Sequence, residues 1–273
     1  MKKGLKGYKA FNKDMTCQGF QFEEGKIYEE KKAVICQSGF HFCTDPLDVL
    51  NYYDICDSEF TEVEAIGTIN KNDYDYSKKC TTKIKIGVKI GLSGFINASI
   101  KFLLDSCKTN KKSGDYSKSA QSGYNSKSAQ SGDNSTSAQS GYNSKSAQSG
   151  YNSKSAQSGY NSTSAQSGYY STSAQSGDNS KSAQSGYCST SAQSGDNSTS
   201  MIEGKYSVAA SIGNNSKVKA KKGCWITLAE WEYDDTKDKW IPVCVKSAQI
   251  DGKKLKEDIF YQLINKKFVE VTQ

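Results

Sequence analysis

The sequence predicts a mainly β protein in three parts. An α+β domain spans residues 1–107, a β-solenoid with two nine-residue repeats per coil spans 114–222, and a small β domain spans 223–273. Three observations predict it. Glycine recurs every nine residues from Gly114 to Gly213, in near-fixed wording such as Gly123-Tyr124-Asn125-Ser126-Lys127-Ser128-Ala129-Gln130-Ser131. A constant period means stacked structural units. Most Ile, Val, Leu, Phe and Trp fall outside that stretch, so two ordinary cores flank it. The flanks also carry the period-two alternation of half-buried strands.

In the first part, Lys6–Phe11, Gly19–Phe22, Gly39–Cys43, Phe60–Ile66 and Lys83–Ile90 read as strands. Glu24-Gly25 marks a turn. Thr44-Asp45-Pro46 starts a helix over Leu47–Tyr53, because Thr44 or Asp45 can cap and Pro46 suits the first turn. Ser93 is placed to cap a second helix over Phe95–Cys107. Residues 108–113 form a polar junction.

Nine residues are too few to close a coil, so the repeat predicts eighteen per coil with glycine at each corner, where positive φ costs it nothing. Ser126 and Ser128 point inward and Lys127 outward, and the small Ser, Ser and Ala imply a narrow interior. Residues eighteen apart become neighbours. Tyr124, Tyr142 and Tyr160 then line one edge, and Tyr151, Tyr169 and Tyr187 the other. Asp115, Asp133, Asp178 and Asp196 replace tyrosine near the ends of the rows. With coils about 4.8 Å apart, five to six of them make a rod on the order of 25–30 Å. Tyr206–Ile212 and Asn215–Ala220 keep the spacing but turn apolar, as terminal coils do where they meet another core. Cys224–Tyr233, Trp240–Ile250, Ile259–Leu263 and Phe268–Val271 read as strands of a cap, with Trp225, Trp231 and Trp240 in or near its core.

The formal charge is +7, and every one of the 36 basic residues is lysine. Lysine acts as a point charge and cannot grip a base edge in a bidentate fork. Sequence-specific DNA readout is therefore not expected, whereas weak, salt-sensitive contact with nucleic acid is compatible with the charge. Nine cysteines follow no disulfide framework, and Met1–Lys6 lacks the apolar run of a signal peptide. No apolar run reaches membrane-spanning length. The expectation is a soluble, cytoplasmic protein with reduced thiols and no membrane partner.

Gly7–Phe11, Cys17–Glu29 and Cys36–Cys43, together with Lys221–Glu230, resemble an uncharacterised family of phage and prophage proteins. Those proteins combine a small N-terminal domain, nine-residue Gly/Ser/Ala repeats and a similar tail. The resemblance implies a viral or prophage origin and a host bacterial cell as the place of action. It carries no activity. Small phage proteins without catalytic motifs often bind and block host factors, CRISPR and other defence systems among them.

The chemical candidates are few. His41, the single histidine, is the one candidate base; the competing reading is a structural ring with a hydrogen bond. Cys36, His41, Cys43 and Cys56 could supply a zinc site, but their spacing lacks CxxC knuckles, so buried thiols are the better reading. Gly39–Phe42 followed by the Pro46 helix is similar to a stretch of ADP-ribosyltransferases beside the nicotinamide, with Glu62 or Glu64 as candidates for the catalytic glutamate. The repeat glycines precede no helix, so no phosphate loop or dinucleotide fingerprint applies and no cofactor is implied. Lys127, Lys145 and Lys154 join the tyrosine rows as candidate binding residues; Lys127 and Lys145 share one face and Lys118 and Lys154 the other, with Thr136, Thr163 and Thr172 interrupting the lysine rows. Stacking rings and lysines together suit single-stranded nucleic acid, although interleaved aspartates oppose it.

The expected function is non-catalytic binding of a host protein or ribonucleoprotein, with the solenoid as rigid spacer or docking surface. An ADP-ribosyltransferase-like enzyme in the first domain and a self-assembling structural protein, hence a homo-oligomer, are the alternatives.

Overall fold

The computed structural model describes residues 4–71, 77–106 and 114–272. Cys107 and the polar junction at 108–113 lie outside the described residues. The chain divides into two compact units, Met1–Phe102 and Leu103–Gln273.

The first unit is built on an antiparallel sheet. Its strands are β1 (Leu5–Asn12), β4 (Ile27–Glu29), β5 (Phe40–Cys43), β6 (Ser58–Ala65), β7 (Ile69–Lys71), β8 (Lys78–Thr81) and β9 (Lys83–Lys89). They lie in the order β4-β9-β6-β1-β5-β8-β7. A separate two-residue pair, β2 (Thr16–Cys17) and β3 (Phe20–Gln21), forms a small hairpin. Phe11, Phe22, Phe40, Phe42, Val63, Ile84 and Ile86 make one apolar core. In helix α1 (Gly91–Ser106), Leu92, Phe95, Ile96 and Ile100 are buried, and Phe95 stacks on Phe60 with centroids 4.1 Å apart. The expected first helix is a 3₁₀ turn, Pro46–Asn51, capped by Asp45, whose carboxylate accepts from the Leu47 amide at 2.9 Å. Strands β2, β4, β7 and β8 were not expected. They span two to four residues, too few for a periodic signal; β4 is held by the longer β9, and β8 by β5 on one side and β7 on the other.

In the second unit the nine-residue repeats do pair into coils. Twelve four-residue strands among the described residues make six coils. One sheet holds β10 (Lys118–Gln121), β12 (Thr136–Gln139), β14 (Lys154–Gln157), β16 (Thr172–Gln175), β18 (Thr190–Gln193) and β20 (Val208–Ser211). The other holds β11 (Lys127–Gln130), β13 (Lys145–Gln148), β15 (Thr163–Gln166), β17 (Lys181–Gln184), β19 (Thr199–Ile202) and β21 (Lys217–Ala220). All neighbours are parallel and in register at eighteen residues, so Ser128 stands beside Ser146 and Gln130 beside Gln148.

Three details correct the sequence reading. First, the interior carries glutamine and serine, and alanine takes the opposite face of each strand, exposed at Ala120, Ala138, Ala156, Ala174 and Ala192 but buried at Ala147, Ala165 and Ala183. Gln130, Gln148, Gln166 and Gln184 are buried; the Nε2 of each of the last three donates to the preceding Oε1 at 2.7–2.9 Å, and Gln130 Nε2 donates to the Thr136 carbonyl at 3.0 Å. The ladder pairs the amides along this row up to Gln184, whose Oε1 has no partner among the described residues, and this pairing offsets the desolvation of a long polar side chain. Strict alternation from Ser128 forces this placement of Ala129 and Gln130.

Second, positive φ falls on the residue two after the repeat glycine. Twelve such positions, Tyr116 to Asn215, have φ of 51–62°, and eight of them are asparagine, the non-glycine residue that tolerates this region best. The glycines serve a different need. A Cβ on any of them from Gly132 to Gly213 would overlap the carbonyl oxygen of the glycine eighteen residues earlier. Cys188 occupies one asparagine position at φ 51°. Cys188→Asn is therefore expected to stabilise the protein by about 0.5–1 kcal/mol, read as a rise in thermal or urea midpoint.

Third, the C-terminal strands extend the solenoid sheets. β22 (Trp225–Asp234) pairs parallel with β20 and antiparallel with β23 (Lys239–Gln249). β24 (Phe260–Ile264) pairs antiparallel with β21 and with β25 (Lys267–Val271). The stretches 114–222 and 223–273 thus belong to one compact unit. Its apolar core is Ile202, Val218, Ile226, Leu228, Ile250, Tyr261 and Leu263. Trp225 and Trp240 are about half exposed, because alternation turns Ile226 and Leu228 inward and their neighbour Trp225 outward. Trp231 is held at the surface, its indole donating to the Ile212 carbonyl at 2.9 Å.

Candidate functional site

The first unit holds a pocket of about 620 Å³ between β1, the β2–β3 hairpin, β5 and the 3₁₀ turn. Phe20, Phe22, Tyr28, Phe40, Tyr52 and Tyr53 give it an aromatic lining. The 3₁₀ turn ends where the Tyr52 and Tyr53 amides both donate to the Val49 carbonyl, which delivers the two phenols to the pocket.

Lys9 comes from β1, two residues before Phe11 and on the same face by alternation. It is 6% exposed. Its Nζ lies 5.2, 5.8 and 5.9 Å from the ring centroids of Phe11, Tyr53 and Phe22, and 3.5 Å from Cys17 Sγ. Cys17 Sγ lies 3.0 Å from the Tyr53 hydroxyl. Burial pushes the Lys9 amine below the usual lysine range, and the neighbouring thiols of Cys17, Cys43 and Cys80 offset part of the shift. Burial and the Cys17 contact push the Tyr53 phenol up, so it stays protonated.

His41 lines the same pocket but braces a loop. Its Nε2 accepts from the Cys36 amide at 2.8 Å, and its ring also bonds the backbone of Gly39. The loop is closed from the other side by Glu30, which accepts from the Gly39 amide at 2.9 Å. Burial, then the charges of Lys78 and Lys9, hold the imidazole below its ordinary value. These bonds tie the His41 ring to the backbone of the Cys36–Gly39 loop. The sign of its linkage follows: the unfolded chain binds a proton near the ordinary histidine pKa while the folded ring resists it. Stability from His41 is therefore present above about pH 6.5 and lost as pH falls toward the lowered folded value. Denaturation at pH 7 and pH 5.5 is expected to show this loss in the wild type, and His41→Gln is expected to reduce it.

Glu62 and Glu64 do not line the pocket; Glu64 instead accepts from the Gly4 amide at 3.1 Å. Cys36, His41 and Cys43 line the pocket and Cys56 does not; Cys43 and Cys56 are buried as expected, whereas Cys36 is exposed. Among the described residues no group of three or more His, Cys, Asp or Glu is placed to hold a metal ion. No helix among them is long and apolar enough to cross a membrane.

On the solenoid, the first expected tyrosine row is stacked throughout and the second in part. Tyr124 stacks on Tyr142 at 5.1 Å and 4°, and Tyr142 on Tyr160 at 5.2 Å and 16°. Tyr169 stacks on Tyr187 at 5.6 Å, while Tyr151 meets Tyr170 edge-on at 5.4 Å. Tyr170 stands at the asparagine position of its repeat and is the ring that meets Tyr151. Tyr124, Tyr142 and Tyr160 are 42–70% exposed. Lys154 and Lys118 are exposed, Lys127 is partly buried, and Lys145 is buried, so the lysines are not one continuous open row.

Sequence reasoning missed Lys9, Cys17 and Tyr53. One signal was present: a lysine between Tyr8 and Phe11 on a strand whose alternation turns it to the phenylalanine side. Residues 5–98, which contain the whole pocket, match a family model described as a domain of unknown function (DUF7666). No curated protein and no solved structure matches the chain.

Proposed function

We propose that the protein is a non-catalytic binding protein that engages a host factor, with the solenoid as its rigid docking surface. The observation that carries this is the row Tyr124, Tyr142 and Tyr160: three stacked, solvent-facing rings on a stiff, in-register scaffold. Aromatic side chains are the typical anchors of interfaces, and a row held rigid loses little entropy when covered. The resemblance to phage and prophage proteins makes a bacterial defence component, CRISPR machinery included, the most concrete target.

Full-length protein immobilised in host lysate tests this. The wild type and His41→Ala are expected to retain the same factor, and the Tyr142→Ser/Tyr160→Ser double variant to lose it while its thermal midpoint persists. Retention by the tyrosine variant with loss by a folded His41→Ala would instead favour the enzyme of ADP-ribosyltransferase type.

A further inference from the structure

We infer that the aromatic pocket of the first unit is a binding site for a small aromatic carbonyl compound, with Lys9 as the amine that condenses with it. The inference is independent of the tyrosine rows.

Several observations converge on it. Lys9 is buried yet lines an open pocket of about 620 Å³, a volume suited to a small organic molecule. Its ammonium contacts, among the described residues, are one thiol and three ring faces, with no carboxylate at hydrogen-bond distance. A lysine desolvated in an apolar pocket is an activated nucleophile, because burial favours the neutral amine. The groups that face it are the thiols of Cys17, Cys43 and Cys80, the Tyr53 phenol and the His41 imidazole. The Tyr53 hydroxyl reaches Cys17 Sγ at 3.0 Å, so a proton donor stands one thiol away from the amine. The ring lining, Phe20, Phe22, Tyr28, Phe40 and Tyr52, selects a flat aromatic body over an aliphatic one.

The step balances without a redox partner. The neutral Lys9 nitrogen adds its lone pair to the carbonyl carbon, and a proton passes from nitrogen to the carbonyl oxygen, giving a carbinolamine. Loss of water breaks the carbon–oxygen bond and leaves a carbon–nitrogen double bond. The net change is amine plus aldehyde to imine plus water.

The test is site-resolved reductive trapping on the full chain. Benzaldehyde and, separately, cyclohexanecarbaldehyde are added at pH 7 with cyanoborohydride as the hydride donor, and peptides are mapped by mass spectrometry. All 36 lysines compete within one folded molecule, so no variant has to fold for the result to count. The expected result is benzyl label at Lys9 roughly ten-fold above exposed lysines such as Lys154, in line with activation of a desolvated amine. The aliphatic aldehyde is expected to show a smaller Lys9 preference. Urea-unfolded protein is expected to show none. Labelling of Lys9 at or below the level of Lys154 in the folded protein would overturn the inference, and equal preference for the two aldehydes would overturn its aromatic selectivity.

Discussion

Gly159→Ala is expected to unfold the middle of the solenoid. The added methyl would enter the carbonyl oxygen of Gly141 in the coil before, with Gly141 C close behind at 2.6 Å. Backbone cannot yield there without parting the coils, whose strands are fixed by parallel ladders on both sheets. Restricting the unfolded chain would by itself stabilise by about 0.4–1 kcal/mol. The overlap outweighs that, and a net loss of at least about 3 kcal/mol is expected from urea unfolding. Gly114→Ala is the control. A Cβ at Gly114 meets nothing within 4 Å, so the change is expected to stay within about 0.5 kcal/mol. The contrast separates glycine kept for coil spacing from glycine kept for turn conformation.

Gln157→Glu is expected to have a comparable effect through electrostatics. Gln157 Nε2 donates to Gln139 Oε1 at 2.7 Å and to the Thr163 carbonyl at 3.0 Å, while Gln175 Nε2 donates to its Oε1 at 2.6 Å. A carboxylate keeps the last bond and loses both donors, leaving an anion facing two oxygens inside the coil. The cost of an unpaired buried charge is about 3–5 kcal/mol. Protonation relieves it, so the folded pKa of the new carboxyl must lie above the unfolded value near 4.3. The variant is therefore expected to regain stability as pH falls from 7 toward 4, the reverse of the trend assigned to His41. A pH-independent loss would mean that the ladder acts through packing alone.

The period made the coil legible before any coordinates. A fixed nine-residue wording, too short to close a turn, leaves eighteen residues per coil and so dictates which tyrosines meet. The filling of the coil was less legible, because glutamine is polar and its burial depends on a partner eighteen residues away. Alternation alone would have placed Gln130 inside, against the habit of reading alanine as core. The corner was misassigned for a similar reason. Glycine advertises positive φ, yet here Asn125 and its equivalents take that conformation, and glycine answers a contact between coils that one repeat cannot reveal. The Lys9 pocket was hidden because its members, at positions 9, 17 and 53, are distant in sequence and share no motif. The exposed tryptophans show the converse: Trp225 looks like core until its neighbours Ile226 and Leu228 claim the inward face.

Photo-oxidative tyrosine cross-linking of the native protein, mapped on tryptic peptides, tests the eighteen-residue coil most directly, since the binding surface proposed here depends on it. Tyr124, Tyr142 and Tyr151 fall in peptides 119–127, 128–145 and 146–154, and Tyr160 falls in 155–181. The expected dityrosine links join 119–127 to 128–145 and 128–145 to 155–181, following the stacked pairs Tyr124–Tyr142 and Tyr142–Tyr160. A dominant link between 128–145 and 146–154, joining Tyr142 to Tyr151 nine residues on, would contradict the coil and the tyrosine edge built on it.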